Sequence, residues 1–272
     1  MEIFDNPTIE KEIISRIKQK FNLQVRSRQG IHLSDLIYCL TKAYWNYKYS
    51  KAEISDDNAL IFAIGLGLEK VLLEDESNPN RPLSKIVDNI SLSSDYLLHI
   101  IDALGELKTT RAYYNKDNQP TKGYPMGWIK QMAGYSYAYN QDKYMLAVFQ
   151  IISAKIIGKE FRFSKDELDK FWNEYIIPRR NILAYAKNNN QIPEPFKYNE
   201  PWECNNCSFK LACDAIKNTG AYTPCTEPLP TIPESMTPAW NKEAEIIQAD
   251  KTTKKAKSAL ISVENITMTS NE

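Results

Sequence analysis

Leu104-Gly105-Glu106-Leu107-Lys108-Thr109-Thr110-Arg111 is the stretch whose reading decides the fold. Apolar and polar residues alternate in it, which predicts a β-strand. Side chains two apart on a strand point to the same side, so Glu106 and Lys108 share one face while Leu107 is expected to enter the core. A carboxylate beside an ammonium suits metal-dependent phosphodiester chemistry. The carboxylate can hold a hard cation such as Mg²⁺ or Mn²⁺, and the ammonium can sit beside the attacking water and the phosphate charge. Such pairs are also common on solvated strands, so the meaning of this one depends on what else converges on it.

A second carboxylate should reach the same ion, and the preceding segment offers Asp95 and Asp102. Hairpin register separates them. A turn over His99-Ile100-Ile101-Asp102 sets Leu98 opposite Ala103 and Asp95 directly across from Glu106, so both acids share a face. A two-residue turn at Leu104-Gly105 would instead set Asp102 opposite Leu107, pointing away, whereas a three-residue turn would bring it back. Asp95 is the preferred partner, and Asp102 remains the alternative. A helix expected over 128–140 carries Gln131 and Tyr135, four apart and therefore on one face. A nearly all-apolar helix from Ala59 to Leu73, capped by Asp56 or Asp57, carries Glu69; a buried carboxylate needs a cation or a metal to offset its desolvation.

The remaining chain reads as follows. Ile9, Ile13, Ile14, Ile17 and Phe21 define an amphipathic helix over 8–21 that is expected to pack on the body. Ser34 is the expected N-cap of a helix over 35–48, which carries Cys39 and the aromatics Tyr38, Tyr44, Trp45 and Tyr47; these can serve core packing or base stacking. Ile86 to Thr110 reads as β structure, followed by strands over 144–152 and 155–163. Ser164-Lys165-Asp166-Glu167 is a capping box opening a helix to about Asn188, with a kink expected at Pro178. Residues 188–201 read as a linker. From Thr226 on, Pro, Ser, Thr and Lys dominate, which predicts a disordered tail. The chain therefore divides into an N-terminal helix and arm (1–30), a core (31–200), a cysteine-rich segment (201–225) and the tail (226–272).

Composition narrows the functional classes. The 272 residues are 43% hydrophobic, enough for one substantial core. Lys plus Arg and Asp plus Glu both number 34, so no overall basic field exists and any nucleic-acid affinity must come from a local patch. The N-terminus lacks the features of a signal peptide, and no apolar run approaches the roughly 18 residues of a membrane span, so a soluble, cytoplasmic protein without a membrane partner is expected. Five cysteines include Cys204, Cys207 and Cys213 within one short segment. In a reducing compartment that clustering suggests metal ligation. The fourth thiolate could be Cys225, completing a local zinc site, or another cysteine of the chain, and an all-thiolate set suits zinc and iron-sulfur equally.

In order and spacing these residues resemble the PD-(D/E)XK nucleases, specifically the RecB-like exonucleases typified by the CRISPR-associated Cas-four family and its viral relatives. The likeness runs from Ser34 to Cys213. It is carried by Ser34-Asp35-Leu36-Ile37-Tyr38-Cys39, Gly65-x-x-x-Glu69, Ser93-Ser94-Asp95, Glu106-Leu107-Lys108-Thr109-Thr110, Gln131-x-x-x-Tyr135 and Cys204-x-x-Cys207-x5-Cys213. The resemblance implies an α/β fold: a restriction-endonuclease-like mixed sheet flanked by helices, with a C-terminal iron-sulfur appendage. It further implies a Mg²⁺- or Mn²⁺-dependent exonuclease acting on single-stranded DNA, with Asp95 and Glu106 as metal ligands, Lys108 as catalytic lysine, and Gln131 and Tyr135 as positioning or DNA-contacting residues. Cys39, Cys204, Cys207 and Cys213 become ligands of a [4Fe-4S] cluster, with Zn²⁺ as the alternative. Partners would be DNA and other proteins of CRISPR adaptation or of viral recombination, in the host cytoplasm in the viral case. Where many relatives carry His, this chain carries Glu69, which can also bind Mg²⁺ or Mn²⁺. The same scaffold without activity, as a DNA-binding or complex-forming subunit, is the rival class.

Overall fold

The computed structural model describes residues 7–24, 30–49, 56, 59–60, 63–65, 67–68, 84–98, 103–205, 207–225, 231–249 and 252. The N-terminal helix α1 (Pro7–Gln24) forms as its periodicity predicts, but Ile13 is exposed and none of residues 11–19 is fully buried. Strand β1 (Ile31–His32) leads into α2 (Leu33–Ile37) and α3 (Leu40–Lys48). The single helix expected over 35–48 is thus two. Ser34 lies inside the first of them, and the second is capped by Cys39, whose thiol accepts from the Lys42 backbone N–H at 3.5 Å.

Two small mixed sheets form the centre. In the first, β3 (Ile90–Leu92) pairs parallel with β1 and antiparallel with β2 (Lys85–Val87). The β2–β3 turn is Asp88-Asn89, both at positive φ, the backbone a two-residue hairpin needs. In the second sheet the order is β4 (Tyr96–Leu98), β5 (Ala103–Thr110), β6 (Lys143–Gln150), β7 (Lys155–Arg162). β5 and β6 run parallel, and the other two pairs are antiparallel. A parallel pair needs a crossover, here α4 (Met126–Tyr139), which packs on β5 and β6.

Covering by α4 reverses the expected sidedness of β5. Glu106 is only 2% exposed, whereas Leu107 is half-buried, because the Glu106 face lies under the crossover helix and the Leu107 face does not. α4 in turn receives α2. Gly127 and Gly134 lie two helical turns apart on one face, and a Cβ at either would stand 2.7 Å from the Tyr38 ring or 2.6 Å from Leu33 Cδ2. Absence of those side chains is what lets the N-terminal segment lie this close to the site.

The capping box at Ser164 is present, with Glu167 N bonded to Ser164 Oγ at 3.2 Å, and opens α5 (Lys165–Phe171). The kink expected at Pro178 takes the form of a π-helical turn over Trp172–Ile176, after which α6 (Ile177–Asn189) resumes with the proline in its first turn. A 3-10 turn (Pro201–Cys204) and α7 (Lys210–Thr219) carry the clustered cysteines. The tail beyond Thr226 is ordered in part, against expectation. A 3-10 turn (Glu234–Met236) and a helix over 239–249 dock on the loop before α4. Asn241 accepts from Tyr124 N at 2.7 Å and donates to Tyr124 O at 2.8 Å, and Trp240 Nε1 donates to Pro120 O at 2.7 Å. These paired backbone groups, with buried Met236 and Ala244, outweigh a polar composition. No helix of the described residues is long and apolar enough to cross a membrane.

The close approach of α2 to α4 makes a specific prediction. Gly134→Ala should overpack against Leu33 and destabilise the protein by roughly 1–3 kcal/mol. Gly158→Ala, whose Cβ meets nothing within 4 Å, should not. Thermal denaturation of the two variants checks it, and equal melting temperatures would refute the tight contact.

Candidate active site and cysteine cluster

Leu98 pairs with Ala103 and Tyr96 with Gly105, the register that sets Asp95 across from Glu106. Asp95 Oδ2 accepts from the Leu107 backbone N–H at 2.9 Å. Directly before Glu106, the Gly105 carbonyl accepts from Ser94 Oγ at 3.0 Å and from the Tyr144 hydroxyl at 3.3 Å. Ser94 Oγ and the Tyr144 hydroxyl are themselves 2.5 Å apart. The backbone on either side of Glu106 is therefore tied down, so its carboxylate has little freedom to swing.

Side chains from β5 and α4 then close on one another. Lys108 Nζ donates to Glu106 Oε1 at 2.6 Å and to Gln131 Oε1 at 3.0 Å. Gln131 Nε2 donates to the same Glu106 oxygen at 2.6 Å and to the Tyr135 hydroxyl at 3.2 Å. Each end of the Gln131 amide has a matching partner, which assigns its orientation. Tyr135 stacks on Tyr144 with ring centroids 5.9 Å apart. Burial pushes the Tyr135 and Tyr144 hydroxyls well above the usual range, and the Glu106 charge adds to this, so both are neutral. Burial works against the charge on Lys108, yet the pull of Glu106, the hydrogen bond to it and the charge of Asp95 raise its pKa. The lysine is an ammonium at neutral pH.

The structure thus brings Asp95, Glu106, Lys108, Gln131 and Tyr135 to one place between β5 and α4. Glu69 and Asp102 lie outside the described residues. Two residues of this locale escape sequence reading: Tyr144, which looks like any apolar position of a buried strand, and Tyr38, which feels the charges of Lys108, Glu203, Glu106 and Lys130. The run of aromatics around Tyr38 is a signal, but it does not say which ring faces the site.

Among the described residues no three His, Cys, Asp or Glu side chains stand in a ready-made metal-ligand arrangement. Asp95 and Glu106 nevertheless supply two hard oxygen donors from paired strands, and Mg²⁺ is commonly held by one or two carboxylates with water and substrate phosphates completing the shell. The donor chemistry fits such an ion.

Cysteines from two parts of the chain influence one another at a second place. Burial raises the pKa of Cys39, Cys204 and Cys213, the last to about 11. Cys213 is further raised by Cys39, Cys207 and Cys204, and Cys39 by Cys204, so the four lie within electrostatic reach of one another. Asn199 Nδ2 donates to Cys204 Sγ at 3.2 Å. Glu203 joins the two ends of the chain, accepting from Cys39 N at 3.0 Å and Glu200 N at 2.7 Å. Cys225 sits elsewhere: its N–H donates to Glu194 Oε2 at 2.7 Å and its thiol lies by the Tyr198 hydroxyl. The absence of a ready-made metal-ligand group among the described residues holds for these cysteines too.

No family model matches the sequence, and no curated protein does. Several solved structures resemble the chain, three of which are the following. The crystal structure of SSO0001 has TM-score 0.49 and 18% identity, covering 76% of this chain and 96% of that one. An alkaline exonuclease from Laribacter hongkongensis has TM-score 0.35 and 10% identity, covering 59% and 93%. Its complex with dAMP gives TM-score 0.36 at the same identity. Overlaps this loose do not bear on the chemistry, which rests on the residues themselves.

The ion pair at the centre sets a stability prediction. Lys108→Met leaves the buried Glu106 carboxylate without its ammonium and should cost about 3 kcal/mol, while the double variant Glu106→Gln/Lys108→Met, with neither charge, should recover most of that loss. Chemical denaturation measures both, and additive losses would refute the coupling. Because the lysine pKa is raised by folding, its contribution is complete below the unfolded value of about 10.4 and is lost as pH rises through the folded-state value. The alkaline decline in stability should therefore shrink in Lys108→Met.

Proposed function

We propose that this protein is a divalent-metal-dependent deoxyribonuclease of the PD-(D/E)XK type that degrades single-stranded DNA as an exonuclease, with a structural [4Fe-4S] cluster on Cys39, Cys204, Cys207 and Cys213. The observation that carries this reading is the convergence of Asp95, Glu106, Lys108 and Gln131 from two strands and the crossover helix, around a lysine that stays charged. It agrees with the sequence resemblance, which extends the reading to CRISPR adaptation or viral DNA processing and to protein partners in either setting.

In this reading Asp95 and Glu106, with Glu69 as the sequence suggests, would hold Mg²⁺ or Mn²⁺. Such an ion supplies positive charge that polarises the phosphate and lowers the pKa of a bound water. Water adds to phosphorus as the bond to one ester oxygen breaks. Lys108 stabilises the negative charge that develops on the phosphoryl oxygens, and as an ammonium it does so without a change of protonation. Gln131 fixes Lys108 and Glu106 against each other, so the loss of either should be partly mirrored by the loss of Gln131. Tyr135, bonded to Gln131 and stacked on Tyr144, holds that amide in place.

A second reading, a non-catalytic DNA-binding subunit, draws on the lack of a three-ligand metal group among the described residues. Labelled single-stranded DNA with Mn²⁺ separates the two. Wild type should shorten the DNA progressively from an end, Lys108→Ala and Glu106→Gln should lose at least about a thousandfold in rate, and Asp95→Asn should be similarly impaired. Binding without any metal-dependent cleavage would favour the non-catalytic subunit.

For the cysteines, protein purified without oxygen should be brown and contain iron and sulfide. Cys39→Ala, Cys204→Ala, Cys207→Ala and Cys213→Ala should each bleach it and lower the melting temperature, and Cys225→Ala should not. A colourless protein with one zinc, silent to Cys39→Ala and destabilised by Cys225→Ala, would establish the local zinc site instead.

A further inference from the structure

A cavity of about 270 Å³ is lined by Lys130, Arg179, Lys197, Asn199, Glu200 and Glu203 among others. Two exposed rings each directly precede a residue of its wall in the chain, Trp202 before Glu203 and Phe196 before Lys197. Trp202 is 60% exposed and Phe196 40% exposed. Phe196 is held at φ +62°, a left-handed conformation that a bulky side chain rarely adopts and that costs of order 1 kcal/mol or more. A strained backbone that displays an aromatic ring to water does nothing for the free protein. Trp202 touches Tyr38 edge-to-face, centroids 6.3 Å apart at 86°, a contact that leaves indole surface open. Tyr38 is a ring within reach of the charges of Lys108, Glu203, Glu106 and Lys130. Trp202 is thus one side chain removed from the catalytic charges.

The charges around the rings suit a polyanion. Lys197 is exposed beside Phe196 and is the cation shown to solvent, whereas Lys130 on the cavity wall is buried and paired with Glu200. The carboxylates there are engaged: Glu203 accepts two backbone N–H groups, and Glu200 pairs with Lys130 at 3.0 Å.

We infer that Trp202 and Phe196 are base-stacking residues that hold unpaired nucleotides of single-stranded DNA beside this cavity, on the approach to Lys108. The inference rests on the nuclease reading and specifies how that site selects an unpaired strand: any base has a face to stack, and a duplex does not offer one.

The test uses the anaerobically purified full chain with divalent ions chelated, so that binding is read without cleavage. The probe is a short labelled oligothymidylate, followed by anisotropy. Trp202→Ala should raise Kd at least about tenfold, a loss in the range of one stacked base, and Trp202→Phe should restore most of it. The quenching of tryptophan fluorescence by the oligonucleotide should largely disappear in Trp202→Phe although binding persists, a signature that a merely structural role would not produce. Phe196→Gly relieves the φ strain and removes the ring, so it should raise Kd while the melting temperature stays level or increases. Wild-type Kd values in Trp202→Ala and Phe196→Gly, with Mn²⁺-dependent cleavage intact, would overturn the inference, free the rings for a protein partner and leave the nuclease reading standing. A wild type that neither binds nor cleaves single-stranded DNA would overturn both.

Discussion

The pairing of Glu106 with Lys108 under the crossover helix is the interaction on which the rest of the structure depends. A carboxylate that is 2% exposed would lose several kcal/mol to desolvation without a cation and hydrogen bonds around it. β5 supplies the cation two residues on, α4 supplies the Gln131 amide, and the Ser94, Tyr144 and Asp95 contacts hold the backbone that carries both charges. Each of these groups constrains an element: β4 must keep its register, α4 its rotation, and β6 the position of Tyr144. Replacing the pair by apolar residues would relax every one of those constraints, which is the sense in which a buried ion pair specifies an arrangement more than it stabilises one.

A second set of constraints closes the chain end to end. Arg179, 4% exposed on α6, donates to the carbonyls of Leu36, Tyr38 and Tyr198, so one buried guanidinium gathers the N-terminal segment and the approach to the cysteines. Glu203 repeats the tie from the other side through Cys39 N. These polar bonds hold the segment of Cys39 to that of Cys204 without any metal. A bound metal centre would then add its free energy to a closure already formed, as a long-range crosslink does.

Much of this was legible in the sequence because it depends on local pattern. Period two gave away β5 to β7, the Ser164-to-Glu167 capping box was read correctly, and the 3.6 period placed α1 and α4 to within a few residues. What failed was whatever depends on neighbours distant in sequence. The face of β5 that is buried is chosen by α4, so Leu107 was expected inside and Glu106 beside solvent. Ser34 has the right chemistry for a cap, but Cys39 takes that role, because the chain must break there to meet Glu203 and the other thiols. The helix over 239–249 has a tail-like composition, and its docking rests on Asn241 finding both backbone groups of Tyr124, which no single-sequence pattern announces. Of the residues gathered between β5 and α4, Glu106, Lys108, Gln131 and Tyr135 were singled out by spacing taken together with the family resemblance. Tyr144 was not, since its hydroxyl bonds to Gly105 across a strand pairing.

The two constraint systems meet at Tyr38. Its ring lies against Gly127 of α4, in a space that any side chain at that position would fill, and its carbonyl is held by Arg179 at 2.6 Å. Its hydroxyl side feels the catalytic charges, while its edge meets Trp202, two residues before Cys204. A change in the packing of the cysteine segment therefore has a short mechanical route to Lys108: it moves Trp202 or Cys39, either of which displaces Tyr38, and Tyr38 cannot shift without pressing on the helix that carries Gln131. Interiors this closely packed transmit small displacements instead of absorbing them. On that ground the position of Tyr38 links the packing of the cysteine segment to that of the helix carrying Gln131.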